Sequence, residues 1–189
     1  MTGPKQVRMC GFGGQGIVLA GMVLGRAAVD DGKWAAGSSS YGAQARGGYC
    51  RSDVLISDDP IVFPHVIEAD ILIAMAQTAY DQYREDLASD AIVLFDEKLV
   101  TPKPSHAVQQ IGVPATNWAI KELGEQQVAN MVLLGATVAI TQVVDRKALL
   151  TAIRDHVGER FRELNVKAIN GGFALGEERW QALQELTDR

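Results

Sequence analysis

The chain has 189 residues, 47% of them hydrophobic and 22% charged, with a formal net charge of −5 at pH 7. That length suits one domain able to bury roughly 70% of the surface its unfolded chain exposes, and the balance is that of a folded α/β protein. The acidic excess excludes a broad basic field for nucleic acid, though not a lone basic pocket. No apolar run reaches the roughly 18–20 residues of a membrane span. The first residues, MTGPKQVRMCGFGG, carry no signal-type apolar region, so a cytoplasmic protein is expected. Cys10 and Cys50 stand far apart with no C-x-x-C pair. They offer no ligand set for zinc or an iron–sulfur cluster, and two small buried thiols are expected.

A lead-in over 7–10, apolar but for Arg8, runs into Gly11-Phe12-Gly13-Gly14-Gln15-Gly16. A long apolar helix pattern over 16–31 follows, with Ile17, Ala20, Val23, Leu24, Ala27 and Ala28 on one face and Gly32 as its end. Strand, tight turn and helix together open a βα unit. Residues 33–37 form a plausible short second strand. Residues 38–48, with Ser40, Tyr41, Arg46, Gly47 and Gly48, are too polar and Gly-rich for core and read as a functional loop. Residues 49–57 alternate as a strand with Cys50, Ser52, Val54 and Ile56 on one side.

Residues 70–75 and 91–95 are continuous apolar runs, expected as strands covered on both faces. A helix is expected over 78–87, a Pro-containing loop over 100–106, an edge strand over 107–111 and a helix over 115–123 ended by Gly124. Residues 128–144 are the most apolar helix candidate, and one amphipathic helix is expected over 145–164. From about residue 170 the chain reads as a polar tail anchored by Phe173, Leu175 and Trp180. Strands alternating with helices give the expected class: α/β, a Rossmann-like layered sheet, mostly parallel, with helices on both faces, forming a single domain over 1–189.

Gly11, Gly13 and Gly16 satisfy G-x-G-x-x-G. Glycine suits such a turn by reaching positive φ, by letting a ligand approach the backbone, and by packing strand against helix, while free N–H groups at the helix start face an anion. A dinucleotide site also wants an acid about 20 residues on. Here that stretch reads Ala35-Ala36-Gly37-Ser38-Ser39-Ser40, with no acid, which argues against classical NAD binding and leaves two readings: a packing turn or an anion cradle. Arg46 and Arg51 suit a phosphate, a carboxylate or an acid on a partner, or else surface ion pairs. Asp53 is expected to pair with a basic neighbour. His65, His106 and His156 lie apart from the turn, and no nucleophile stands with its base.

Taken together, Gly11 to Gly16, Ser40-Tyr41-Gly42, Arg46-Gly47-Gly48, Ser52-Asp53-Val54-Leu55-Ile56-Ser57 and, downstream, Asn130-Met131 with Leu134-Gly135-Ala136 resemble the gamma subunit of 2-oxoacid:ferredoxin oxidoreductases over about the first 140 residues. The resemblance implies one part of an enzyme that oxidatively decarboxylates a 2-oxoacid to its acyl-CoA, with electrons leaving to ferredoxin. It implies that thiamine diphosphate, Mg and the iron–sulfur clusters belong to alpha, beta and a ferredoxin-like delta subunit, none being bound by this chain. No catalytic residue is expected here. A coenzyme A-side role is placed on Gly11, Gly13, Gly14, Gln15, Gly16, Ser40, Tyr41, Arg46, Gly47, Gly48 and Arg51, with contact to a partner subunit as the alternative. The pattern over 11–57 leans toward the 2-oxoglutarate type, with pyruvate and branched-chain oxoacids open. A free-standing nucleotide-binding module or dehydrogenase using the Gly-rich turn is the competing reading.

Overall fold

The apolar runs form the middle of a six-stranded sheet. The computed structural model describes residues 3–41, 48–105 and 108–187. Its strands are β1 (Lys5–Phe12), β2 (Trp34–Tyr41), β3 (Tyr49–Ser57), β4 (Ala69–Ala74), β5 (Leu87–Asp96) and β6 (Gln109–Val113), ordered β2-β3-β1-β4-β5-β6. β1, β4, β5 and β6 pair in parallel, and β3 runs antiparallel between β1 and β2. The sheet is therefore mostly parallel with one reversed strand. The helices are α1 (Ile17–Asp30), α2 (Gln77–Tyr83), α3 (Ala115–Trp118), α4 (Ala129–Thr141), α5 (Arg146–His156) and α6 (Glu159–Thr187).

Alternation along the strands feeds two cores. Val7, Met9, Cys50, Val54 and Ile56 join α1, α4, α5 and α6 on one face. Cys10, Leu72, Ala74 and Phe95 meet Ala79, Tyr80 and Tyr83 of α2 on the other. The apolar face expected of α1 is the buried one, Ile17, Ala20, Val23, Leu24, Ala27 and Ala28 all lying in the core. α4 is buried from Ala129 to Ile140, the mark of a helix enclosed by protein on every side.

Four expectations need correction. Ser38 to Ser40 lie in β2, because β3 pairs with that strand along its whole length, from Trp34↔Ser57 to Tyr41↔Cys50. α2 stops at Tyr83 and the chain enters β5 at Leu87, so the helix expected to reach 87 is a turn shorter. The helix expected over 145–164 is two helices. Asp145 caps α5, its Oδ1 accepting from the N–H groups of Lys147 at 2.8 Å and Ala148 at 3.2 Å, and an extended Val157 with Gly158 breaks the run. α6 then continues without interruption to Thr187, so residues 170–187 are helix.

The reason lies in Gly171 and Gly172, which read as breakers and act as contacts. A Cβ on Gly172 would strike the Val132 carbonyl and lie 3.0 Å from the Ala136 nitrogen, and one on Gly135 would strike the Ile169 carbonyl. α4 and α6 thus touch backbone to backbone, which repays the helix-propensity loss of glycine, about 1 kcal/mol each. The short α3 passes into a π-helical turn, Ala119–Leu123, ended by Gly124 at φ 72°, as Gly124 suggested.

Gly172→Val should therefore destabilise the chain by about 3 kcal/mol or more, since backbone cannot yield as side chains do. Gly158→Ala, whose Cβ meets nothing within 4 Å, should shift stability by no more than about 1 kcal/mol. Urea unfolding of the two variants checks the contrast.

Candidate functional site at the carboxyl edge of the sheet

β1 ends at Phe12, and the chain crosses to α1 in four residues. Gly14 has φ 96° and Gly16, the cap of α1, has φ 72°, conformations that glycine adopts without a Cβ clash. The glycines of this stretch split into two kinds. A Cβ on Gly11 would press on Ile17 at 2.9 Å and on the Gln15 side chain, and one on Gly16 would strike the Asn130 amide. Around Gly13 and Gly14 nothing lies within 4 Å of that position. The first pair is packing; the second leaves open backbone.

Three other segments hold the turn. Gln15 Oε1 accepts from the Phe12 N–H at 2.6 Å, and Gln15 Nε2 donates to the Met75 carbonyl beyond β4 at 2.8 Å. Asn130 Nδ2, in the first turn of α4, donates to the Gly16 carbonyl at 3.0 Å. The Gly13 N–H donates to the Gly48 carbonyl at 3.3 Å. Gly48 and the turn, separate motifs in the sequence, are hydrogen-bonded neighbours. Both ends of Gln15 serve the backbone, so its side chain is a clamp here.

β3 carries charge beside this turn. Arg8 of β1 faces Asp53 of β3 in register, with Nε donating to Oδ1 at 2.9 Å and Nη2 to Oδ2 at 3.2 Å, and both side chains are only 4% exposed. Arg8 also donates to the Val66 carbonyl at 3.2 Å. Arg51 reaches Asp53 Oδ2 at 3.4 Å and is 35% exposed. Both guanidinium groups stand over the Tyr83 ring, at 5.0 and 5.7 Å. The exposed Asp86 stands 3.6 Å from Arg8 as a second carboxylate, and of the two arginines that share Asp53, Arg51 is the more open to solvent. Ser40 lies opposite Arg51 on the same sheet face and is exposed. Phe12 and Tyr49, paired in register, stack with ring centroids 6.3 Å apart.

Of the expected site residues, the structure thus gathers Gly11 through Gly16, Gly48, Arg51 and Ser40 around one end of β1 and β3. Arg46, Gly47 and the side chain of Tyr41 lie outside the described residues, as does His106. Arg8 and the Met75 carbonyl went unread because strand register brings them in, and Asn130, read only as part of the family-like motif, gains its contact with the turn from the placement of α4. A cleft of about 320 Å³ opens on the other side of the turn, lined by Gly14, Gln15, Met75 and Thr116 among others. The Thr116 hydroxyl is buried there without a hydrogen-bond partner among the described residues. This is the edge at which open α/β sheets place ligands.

Among the described residues, no nucleophile stands with a base at this edge. Burial pushes the Cys10 thiol up to about 12, only partly offset by Arg8, and burial likewise raises Cys50. His65 packs its ring against Phe63 and His156 ends α5. Among the described residues no three of His, Cys, Asp and Glu gather as a metal site, and no helix is long and apolar enough to cross a membrane. The dinucleotide arrangement is also missing: β3 separates β1 from β2, so the end of the second strand lies one place removed from the Gly-rich turn.

An α/β layered fold with a clamped, open glycine turn at its carboxyl edge and a half-buried arginine beside it defines a class: a layered-sheet protein with preformed open backbone at the edge where such sheets place ligands. Residues 6–175 match the family described as pyruvate ferredoxin/flavodoxin oxidoreductase. The chain belongs to that family, in line with the resemblance drawn from its motifs. It is 44% identical to the 2-oxoglutarate synthase subunit KorC of Methanocaldococcus jannaschii, over 92% of this chain and 95% of that one. It is 31% identical to the ketoisovalerate oxidoreductase subunit VorA of Methanothermobacter thermautotrophicus, over 92% of this chain but only 36% of that longer one. Among solved structures, the keto/oxoacid ferredoxin oxidoreductase gamma subunit of Geobacter sulfurreducens matches with a TM-score of 0.83 and 38% identity, covering 94% of this chain and 99% of that one.

Asp53→Asn should cost about 3 kcal/mol by taking away the buried partner of Arg8, which keeps only the more distant and exposed Asp86 at 3.6 Å, and the double variant Arg8→Met/Asp53→Leu should recover most of it; urea unfolding of all three measures the coupling. The thiols give an independent check. Above the ordinary thiol value of 9.0 the unfolded chain ionises, while native Cys10 keeps its proton to about 12. The unfolded state then binds fewer protons, so stability should fall as pH rises through that window. Labelling of Cys10 by a disulfide reagent should follow global unfolding.

Proposed function

We propose that this chain is the gamma subunit of a 2-oxoacid:ferredoxin oxidoreductase of the 2-oxoglutarate type. The observation that carries the substrate is the 44% identity to a 2-oxoglutarate synthase subunit over nearly the whole of both chains. The complex would convert a 2-oxoacid and coenzyme A to acyl-CoA and CO2, passing two electrons to ferredoxin. Alpha and beta subunits, and a ferredoxin-like delta subunit, would hold thiamine diphosphate, Mg and the iron–sulfur clusters. This chain has two cysteines in all, both buried, so no step through a cluster is assigned to it. The cytoplasm is the proposed location.

The part proposed for this chain is a wall of the coenzyme A side. Its residues fit that group: Gly13 and Gly14 leave open space where a Cβ would stand, and Arg51 is a partly exposed cation. Backbone N–H groups of the turn, with Arg51 and Ser40, would hold phosphate; Tyr41, Arg46, Gly47 and Gly48 would complete the same edge. Gly11, Gln15 and Gly16 would keep the turn in shape for it. When bound, coenzyme A supplies the thiol that accepts the acyl group; the groups above bind and orient it.

The test is co-expression with the companion subunits and viologen reduction on 2-oxoglutarate, pyruvate and 2-oxoisovalerate at varied coenzyme A. The highest kcat/KM should fall on 2-oxoglutarate. Arg51→Ala and Arg46→Ala should each raise the coenzyme A KM about tenfold, the worth of one charge-assisted hydrogen bond, with kcat and subunit recovery kept. Loss of recovery with an unchanged KM would instead place these arginines on a partner subunit. A wild-type chain that recovers no companion would sink the subunit reading.

A further inference from the structure

Between β3 and β4 the chain carries three strongly exposed large apolar side chains within six residues. Val62 is 94% exposed, Ile67 62% and Phe63 60%, in a segment with no regular secondary structure. The segment is nevertheless built. Pro60 and Pro64 restrict its backbone. Val66 is buried, and Ile61 packs on the small core of Leu55, Val66 and Ala69. The Asp59 N–H donates to Ser57 Oγ at 3.1 Å and the Ile67 N–H to Gln6 Oε1 at 2.8 Å, while the Val66 carbonyl accepts from Arg8. Phe63 is propped edge-on by His65, ring centroids 5.0 Å apart. Side chains presented this way lose little freedom on binding, which is how an interface anchor gains affinity.

The surroundings specify the occupant. Exposed Asp58 and Asp59 precede the segment, Glu68 follows it, and Asp86 lies beside it, its carbonyl accepting from the Ala69 N–H at 2.9 Å. No lysine or arginine occurs from Ser52 to Tyr83. Arg8, which reaches the segment, is buried and divided between Asp53 at 2.9 Å and Asp86 at 3.6 Å, so the acids left to face a partner are Asp58, Asp59 and Glu68. A second copy meeting this face through a two-fold axis would set acid against acid. We propose that residues 58–68 form a preshaped apolar knob that docks into an apolar socket rimmed by Lys and Arg on a companion subunit. The proposal rests on the subunit reading above and adds the surface and the chemistry of its partner.

Two variants test it in co-expression with the identified companion subunits: Val62→Ser/Phe63→Ser removes the anchor, and Asp58→Lys/Asp59→Lys/Glu68→Lys reverses the rim. Each should lower companion recovery about tenfold or more, and wild-type association should weaken as salt rises. All these side chains are exposed, so the isolated variants should keep the wild-type melting temperature, separating docking from folding. Full recovery with Val62→Ser/Phe63→Ser overturns the proposal while leaving the subunit reading intact. Self-association of the isolated wild-type chain, abolished by the same variant, overturns it by making a second copy the occupant. A wild-type chain that recovers no companion overturns both.

Discussion

The antiparallel pairing of β1 with β3 is the constraint on which the site depends. It places Gly48 against Gly13 and Arg8 against Asp53. A slip of one residue would turn Asp53 toward the apolar layer under α1, where Val54 and Ile56 now pack, and would leave Arg8 without its counter-charge. The buried ion pair is therefore a register device. It also explains why a Gly-rich turn of familiar spacing does not make a dinucleotide site. With β3 inserted beside β1, the second strand of the βα unit becomes an edge, and the position that would carry a ribose-binding acid is moved away from the turn.

The same pairing decides what the turn can do. Were all its glycines packed against neighbours, the motif would be only a tight corner. Gly11 and Gly16 are of that kind, but Gly13 and Gly14 face open space. Gln15 and Asn130 then tie the corner to β4 and α4, so the open backbone is held before any ligand arrives. Preorganisation of this sort is what a binding wall needs, because mobile N–H groups would lose part of their worth in ordering.

Much of this was legible in the sequence where one cause dominated. The span 49–57 is β3, bounds included, because β-branched and apolar residues alternate there and Asp58-Asp59-Pro60 cannot continue it. The apolar stripe of α1 is a helical period and nothing else. Legibility failed where a distant partner outvoted local chemistry. Three serines look like loop until β3 supplies hydrogen bonds along their length. Two adjacent glycines look like an end until α4 needs Gly172, and the Trp118 ring needs Gly171, for close approach. Gly158, between two amphipathic stretches of compatible period, was the break that periodicity concealed. At the site, the Gly-rich turn announced itself, whereas Arg8 and Asn130 are ordinary residues whose roles exist only through register and packing.

Arg8 and Arg51 show the same limit most sharply, since both are arginines flanking one aspartate across a strand pair. Arg8 takes Asp53 through two short contacts in the core, so removing it strands a buried charge, a loss of several kcal/mol. Arg51 holds the same carboxylate at 3.4 Å with a third of its side chain open to solvent, a pairing worth at most about 1 kcal/mol. In the proposed site, an anion at the mouth of the turn would draw Arg51 away without disturbing the core, because Asp53 keeps its first partner. One carboxylate with two unequal arginines thus provides a buried pair for the fold and, beside it, a half-exposed cation at the edge where the Gly-rich turn lies open.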